Sequence, residues 1–205
     1  MERSSGVLLH ISSLPGESGI GCMGKDACRF VDFLAQSKQK IWQILPLGPV
    51  GFGNSPYQCY SAFAGNPMFI DLEQLVADRL ISLSTIKIPG FKDKTVEFER
   101  VEEWKQGILR EAFAGFQKNF ERFRDEYHTF MQHHSWWLDD YAHFRSLKIK
   151  MNGSVWNTWD KKLVLRDYQA LKESFGELHN EIDFHRFLQF RSEEHTSELQ
   201  SLRHL

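Results

Sequence analysis

Two kinds of hydrophobic pattern divide the chain. Near the N-terminus, Gly6-Val7-Leu8-Leu9-His10-Ile11 is a short, mostly apolar run closed by Ser12-Ser13-Leu14-Pro15-Gly16, and Ile41-Trp42-Gln43-Ile44-Leu45 is a second, closed by Pro46. Short apolar runs bounded by turn residues predict strands buried on both faces. Between them Ala27, Phe30, Val31 and Leu34 recur at i, i+3, i+4, i+7, which predicts an amphipathic helix starting near Gly24. Strand, helix, strand in that order predicts a parallel βαβ unit with a right-handed crossover. After residue 100 the period turns helical. Val101, Trp104, Ile108, Ala112, Phe116 and Phe120 make one sustained face. Trp137, Tyr141, Phe144 and Leu147 make another after Ser135, with Asp139 and Asp140 in the first turn, where the helix dipole favours acids. Phe184, Phe187 and Leu188 mark a third, and aromatics at this spacing read as core.

Composition sharpens the division. All six prolines lie at or before Pro89, whereas five of the six tryptophans lie after residue 100, so Pro89-Gly90 separates a turn-rich part from an aromatic-rich one. With 25 Lys+Arg against 27 Asp+Glu, the net charge is −2, without the basic excess that nucleic acid binding needs. An apolar fraction of 41% excludes intrinsic disorder, and no apolar run reaches the ~18 residues of a membrane span. Neither nucleic acid nor a membrane is therefore expected as a partner. Cys22, Cys28 and Cys59 stand in no CxxC and lack even pairing, which fits a reducing compartment; with no signal-peptide pattern, a cytoplasmic protein is expected.

Several motifs invite chemistry and do not sustain it. Gly19-Ile20-Gly21-Cys22-Met23-Gly24 matches GxGxxG, but Ser12 to Ser18 separate it from the strand and no acid follows where a ribose partner is wanted. A tight loop leading into a helix explains these glycines better than a dinucleotide oxidoreductase does. His133-His134 and the scattered His128, His143, His179 and His185 lack metal-ligand spacing. Asn152-Gly153-Ser154 reads as a turn, and no nucleophile elbow, P-loop or kinase set is present.

The informative segment is Leu47-Gly48-Pro49-Val50-Gly51-Phe52-Gly53-Asn54-Ser55-Pro56-Tyr57-Gln58-Cys59-Tyr60-Ser61-Ala62-Phe63-Ala64-Gly65-Asn66-Pro67. It is too long for a simple connection and mixes glycines with hydroxyls, amides and aromatic rings. Aromatic faces suit the apolar side of a sugar ring, and amides and hydroxyls suit its OH groups. A structural Ω-loop accounts for the same composition equally well.

Particular blocks carry a resemblance. Leu9-His10-Ile11-Ser12-Ser13-Leu14-Pro15-Gly16 with Gly19-Ile20-Gly21, then Ile44-Leu45-Pro46-Leu47-Gly48-Pro49, Ser55-Pro56-Tyr57-Gln58 and Ser61-Ala62-Phe63-Ala64-Gly65-Asn66-Pro67, resemble the N-terminal third of the 4-alpha-glucanotransferases (amylomaltases or disproportionating enzymes, glycoside hydrolase family 77). Trp137-Leu138-Asp139-Asp140-Tyr141-Ala142-His143-Phe144, Trp156-Asn157-Thr158-Trp159 and Phe187-Leu188-Gln189-Phe190 agree with it.

The resemblance implies an α/β fold, the N-terminal part of a (β/α)8 TIM barrel with a largely helical insertion. It divides the chain into 1–79, the opening βαβ part with the sugar-site loop, and 80–190, a mainly helical inserted subdomain. The remaining 191–205 loses aromatic character abruptly and resembles a translated cloning artefact, so it is expected to be a non-native tail. The activity implied is transfer of α-1,4-glucan segments to the 4-hydroxyl of glucose or another glucan, with maltooligosaccharides and α-1,4-glucans as partners. Such retaining chemistry uses two carboxylates about 5–5.5 Å apart. No metal or organic cofactor is implied. A closed barrel needs roughly 250 residues, and the family's catalytic acids come from later strands, so a truncated form without catalytic residues is expected. Asp71 and Glu73 match no catalytic motif and are expected to start a helix. Carried over by position, Tyr57 lines the donor site, Ser55 neighbours it, and Phe52 stands at a second, remote glucan site where some members have tyrosine. An inactive fragment with weak glucan binding is the alternative.

Overall fold

The computed structural model describes residues 3–201, less the side chains of Phe52 and of 194–201. Among the described residues, two parallel strands and eight α-helices follow in order: β1 (Gly6–Leu8), α1 (Lys25–Gln36), β2 (Ile41–Gln43), α2 (Leu72–Ala77), α3 (Phe98–Lys118), α4 (Phe120–His134), α5 (Leu138–Lys150), α6 (Lys161–Val164), α7 (Tyr168–Glu177) and α8 (His179–Ser201). They fall into two compact units, Met1–Phe123 with the residues from Arg191 on, and Arg124–Phe190. The first unit thus takes in 80–123 as well as 1–79. Among the described residues, no helix is long and apolar enough to cross a membrane.

In the first unit, β1 and β2 pair in parallel with Gly6 opposite Ile41, Val7 opposite Trp42 and Leu8 opposite Gln43. Gly6 is required there, since a Cβ would stand 2.4 Å from the Ile41 carbonyl oxygen. The predicted apolar stripe of α1 buries Ala27 and Leu34, and Phe30 meets Trp42 edge-on at 4.9 Å. Ile11, Leu14, Ile20, Met23, Ala27, Phe69 and Val101 form the core beneath. The glycine-rich stretch 19–24 carries the chain into α1, as a structural loop requires. Gly19 has φ +72°, and at Gly21 a Cβ would lie 2.0 Å from the Ile11 carbonyl.

One expectation is corrected. The strands are not buried on both faces: Leu8 is 58% and Ile41 51% exposed. Each strand is three residues long, and among the described residues the sheet consists of these two strands.

Pro89-Gly90 is irregular backbone between α2 and α3. Gly90 has φ +68°, and the Arg100 guanidinium of α3 donates to the carbonyls of Pro89 (2.8 Å) and Gly90 (3.2 Å). The α3 stripe buries Val101, Ile108, Ala112 and Phe116 as the spacing predicts, and also Lys105. From the segment 191–205, Arg191 and Ser192 are buried, and the Arg191 guanidinium pairs with Asp78 just past α2.

The second unit is all helical. Arg186 of α8 donates to Asp139 of α5 (2.6 and 2.9 Å) and to Asp183 (2.7 Å), and lies 5.4 Å over the Phe175 ring of α7. Phe130 and Phe190 pack at 5.5 Å. Asp160 and Asp167 cap α6 and α7 by accepting from the amides of Lys162 and Ala170. His143 and Ser174 meet at 2.9 Å in this core, but Ser174 donates its hydroxyl to the Leu171 carbonyl, so no activated nucleophile results.

Candidate functional site

The loop 47–67 follows β2 and closes on itself where the Asn66 amide donates to the Leu47 carbonyl at 2.9 Å. Inside it, Val50 and Cys59 bridge antiparallel, the Gly51 amide donates to Gln58 O (2.8 Å) and the Tyr60 amide to Pro49 O (3.0 Å). The result is a narrow ladder. A Cβ on Gly48 would stand 2.9 Å from both Cys59 Sγ and Ser61 O, so the base admits nothing larger than glycine. At the tip, Phe52–Asn54 make a 3-10 turn that needs a left-handed residue, supplied by Gly53 at φ +73°.

The tip then turns again. Gln58 N donates to Ser55 O (3.1 Å), and Ser55 Oγ accepts from the Tyr57 amide at 3.4 Å. Ser55 is half-buried and keeps its hydroxyl hydrogen for a further acceptor. Tyr57 is 72% exposed, its ring held out by this bonded backbone. Phe63, 60% exposed, is presented similarly, with Ser61 Oγ accepting from the amides of Phe63 and Ala64 at 3.1 and 3.2 Å. Exposed aromatic rings on an ordered loop offer stacking surface without an ordering cost at binding. Ser55 and Tyr57 are thus brought together. The side chain of Phe52 lies outside the described residues.

Cys59 Sγ donates to the Pro56 carbonyl at 3.0 Å and serves the turn only. Cys59→Ser, whose hydroxyl can donate to the same carbonyl, is expected to change the unfolding free energy by less than about 1 kcal/mol; this is checked by urea denaturation.

The acids near this loop are engaged structurally. Asp71 Oδ1 accepts from the Glu73 amide at 3.0 Å as the cap of α2, Glu73 pairs with Lys25 at 2.6 Å, and Asp26 pairs with Arg29 at 3.0 Å. An open cavity of about 390 Å³ lies at the first turns of α1 and α2, lined by Met23, Lys25, Cys28, Asp71 and Gln74 among others; it contains none of the three predicted residues. Among the described residues no cluster of three or more His, Cys, Asp or Glu could hold a metal.

Sequence reasoning passed over two groups. His10 follows β1, half-buried, meeting the Phe69 ring edge-on at 5.5 Å, with its basicity lowered by burial. Lys105 is wholly buried, and its Nζ donates to the Met68 carbonyl at 2.6 Å, tying α3 to the turn that follows the loop. Burial pulls the Lys105 pKa from 10.5 down to about 8, and burial pushes neighbouring Cys22 from 9.0 up to about 11. Between pH 8 and 10.5 the folded chain therefore binds fewer protons at Lys105 than the unfolded chain, so stability rises with pH there. Cys22 acts oppositely between pH 9 and 11. The net expectation is a rise in unfolding free energy of up to about 1 kcal/mol from pH 8 to 9, read by urea denaturation, and its disappearance in Lys105→Met.

The family description 4-alpha-glucanotransferase matches residues 9–204. This chain belongs to the 4-alpha-glucanotransferase family. A 4-alpha-glucanotransferase of Synechocystis is 44% identical over 191 residues, covering 92% of this chain and 38% of the relative. One from Thermus thermophilus is 42% identical over 191 residues, covering 93% and 38%. The chain thus spans less than two fifths of the length of these curated relatives. Among solved structures, an amylomaltase from Streptococcus agalactiae in complex with acarbose superposes with a TM-score of 0.92 at 35% identity, over 99% of this chain and 41% of that one. An amylomaltase from Corynebacterium glutamicum, at 18% identity and a TM-score of 0.67 over 97% of this chain and 28% of its own, shares the fold.

Proposed function

We propose that this chain forms the opening of the (β/α)8 barrel of a 4-alpha-glucanotransferase and supplies part of its glucan-binding wall. The observation that carries the reading is Tyr57, whose exposed ring stands at the tip of a bonded loop beyond the carboxyl end of β2. In parallel sheets and barrels that end carries the ligand.

In this reading Tyr57 stacks on a glucose ring of the donor beside the bond to be broken, and the Ser55 hydroxyl donates to a sugar oxygen. Phe52 lends a second, remote glucan site its ring. The reaction is a retaining double displacement. One carboxylate attacks the anomeric carbon while the other protonates the leaving oxygen, then draws a proton from the acceptor 4-hydroxyl as it attacks. The family resemblance implies that both carboxylates come from later barrel strands; Asp26, Asp71 and Glu73 are committed to pairs and a cap. This chain's part is to bind and orient the donor and to keep water off the intermediate, so that a sugar hydroxyl completes the transfer. No cofactor is called for. That the Streptococcus agalactiae amylomaltase takes acarbose, an oligosaccharide analogue, supports α-glucans as the ligand class.

Titration calorimetry with acarbose tests the site. Binding by the full-length protein that weakens at least tenfold in Tyr57→Ala is expected, and equal affinity in the two would remove Tyr57 from the site. Glucan binding without any turnover would favour an inactive binding module instead.

A further inference from the structure

Resting on the glucan-binding reading, we propose that His10 is a substrate-positioning residue, a neutral imidazole whose Nε2–H donates a hydrogen bond to a glucose hydroxyl at the carboxyl end of β1. His10 stands two residues beyond Leu8, the last residue of β1. The parallel pairing of β1 with β2 sends the segment holding His10 and the loop holding Tyr57 out at the same end of the sheet. The backbone at His10 is fixed on both sides. The preceding Leu9 carbonyl accepts from Trp42 Nε1 at 2.7 Å, and the His10 carbonyl accepts from the Ser13 amide at 2.9 Å. The imidazole itself rests edge-on against Phe69, whose amide donates to the Asn66 carbonyl at the loop's closing point.

The two ring nitrogens differ. Nδ1 is sealed from solvent with no partner among the described residues. A sealed, unbonded N–H costs more than a sealed lone pair beside an aromatic edge, so the proton resides on Nε2. Burial also lowers the basicity of the ring, which keeps it neutral at physiological pH. The residue as a whole is only half-buried, which leaves Nε2 as the nitrogen able to meet a ligand. A purely structural histidine would engage at least one nitrogen within the protein. This one holds a single donor in reserve, at the same end of the sheet as a loop of hydroxyls and aromatic rings.

The test uses the full-length gene product, with maltotriose as substrate and acarbose as ligand. His10→Phe keeps the edge-on packing and removes the sealed nitrogen, so its melting temperature should equal or exceed that of the parent. Its KM for maltotriose and its Kd for acarbose should nevertheless rise about three- to tenfold. His10→Gln, whose amide reaches the position of Nε2, should stay within about twofold, and His10→Asn, whose amide stops at the position of Nδ1, should behave like the phenylalanine variant. Unchanged KM and Kd in His10→Phe would overturn the proposal. Should that variant fail to fold, equal constants for the Gln and Asn variants would overturn it instead. A parent protein that turns maltotriose over while His10→Phe matches it removes His10 alone; a parent that neither binds acarbose nor transfers removes the glucan reading and His10 with it.

Discussion

Tyr57→Ala in the full-length protein is expected to lower kcat/KM for glucan transfer by roughly 10- to 100-fold, with the melting temperature unchanged. The size follows from area. An aromatic ring covered by a ligand is worth about 1.5–3 kcal/mol, and each 1.36 kcal/mol is tenfold in rate. Stability is untouched because the ring is 72% exposed and the loop is held by backbone bonds, from Asn66 to Leu47 and from Gly51 to Gln58, that do not involve it. Tyr57→Phe keeps the stacking face and should retain most of the rate. Loss of melting temperature together with activity would mean that the ring supports the loop, and an unchanged rate would mean that it meets no glucan.

Asp78→Ala carries the largest expected effect on stability, a loss of about 3–5 kcal/mol by urea denaturation. Arg191 is 1% exposed, and its guanidinium pairs with the Asp78 carboxylate, to which Gln74 Nε2 also donates at 3.3 Å. Removing the acid takes its carboxylate from the buried Arg191 guanidinium and from Arg122, 3.9 Å away, and breaking a buried pair costs more than the pair itself is worth. A double replacement, Asp78→Leu with Arg191→Met, takes away both charges and should recover much of the loss. A cost below about 1 kcal/mol for Asp78→Ala would show that the buried Arg191 charge does not depend on Asp78.

The elements legible in the sequence were those whose pattern is local. The i, i+3, i+4, i+7 spacing of Ala27 to Leu34 located α1, and the acids at 139 and 140 marked the first turn of α5. The division between α3 and α4 was not legible. The apolar face runs on through Phe116 and Phe120, and the break at Asn119 depends on its Nδ2 donating back to the Gly115 carbonyl at 2.8 Å. Gly115 in turn is fixed by the Leu80 carbonyl, which would lie 2.0 Å from a Cβ there, a contact between residues far apart in sequence.

The site was legible in part. The mixture of Gly, Ser, Asn and Tyr announced loop 47–67, but only the ladder shows that Tyr57 is held out instead of packed in. The sequence did carry a signal for Lys105, which falls on the same helical face as Val101, Ile108 and Ala112; a charge on an apolar stripe is a buried charge. His10 sat unnoticed inside an apolar run, where one unbonded nitrogen is visible only in three dimensions. The exposure of Leu8 and Ile41 reverses the expectation for β1 and β2, because burial on both faces depends on neighbouring elements and not on the strand's own residues.

The proposed glucan transfer is tested most directly by the product pattern of the full-length protein on maltotriose. Glucose together with maltopentaose and longer chains is expected, with no net gain in reducing ends, because every bond broken is re-formed on a sugar hydroxyl. Reducing ends that accumulate without longer products, or maltotriose left intact, would contradict it.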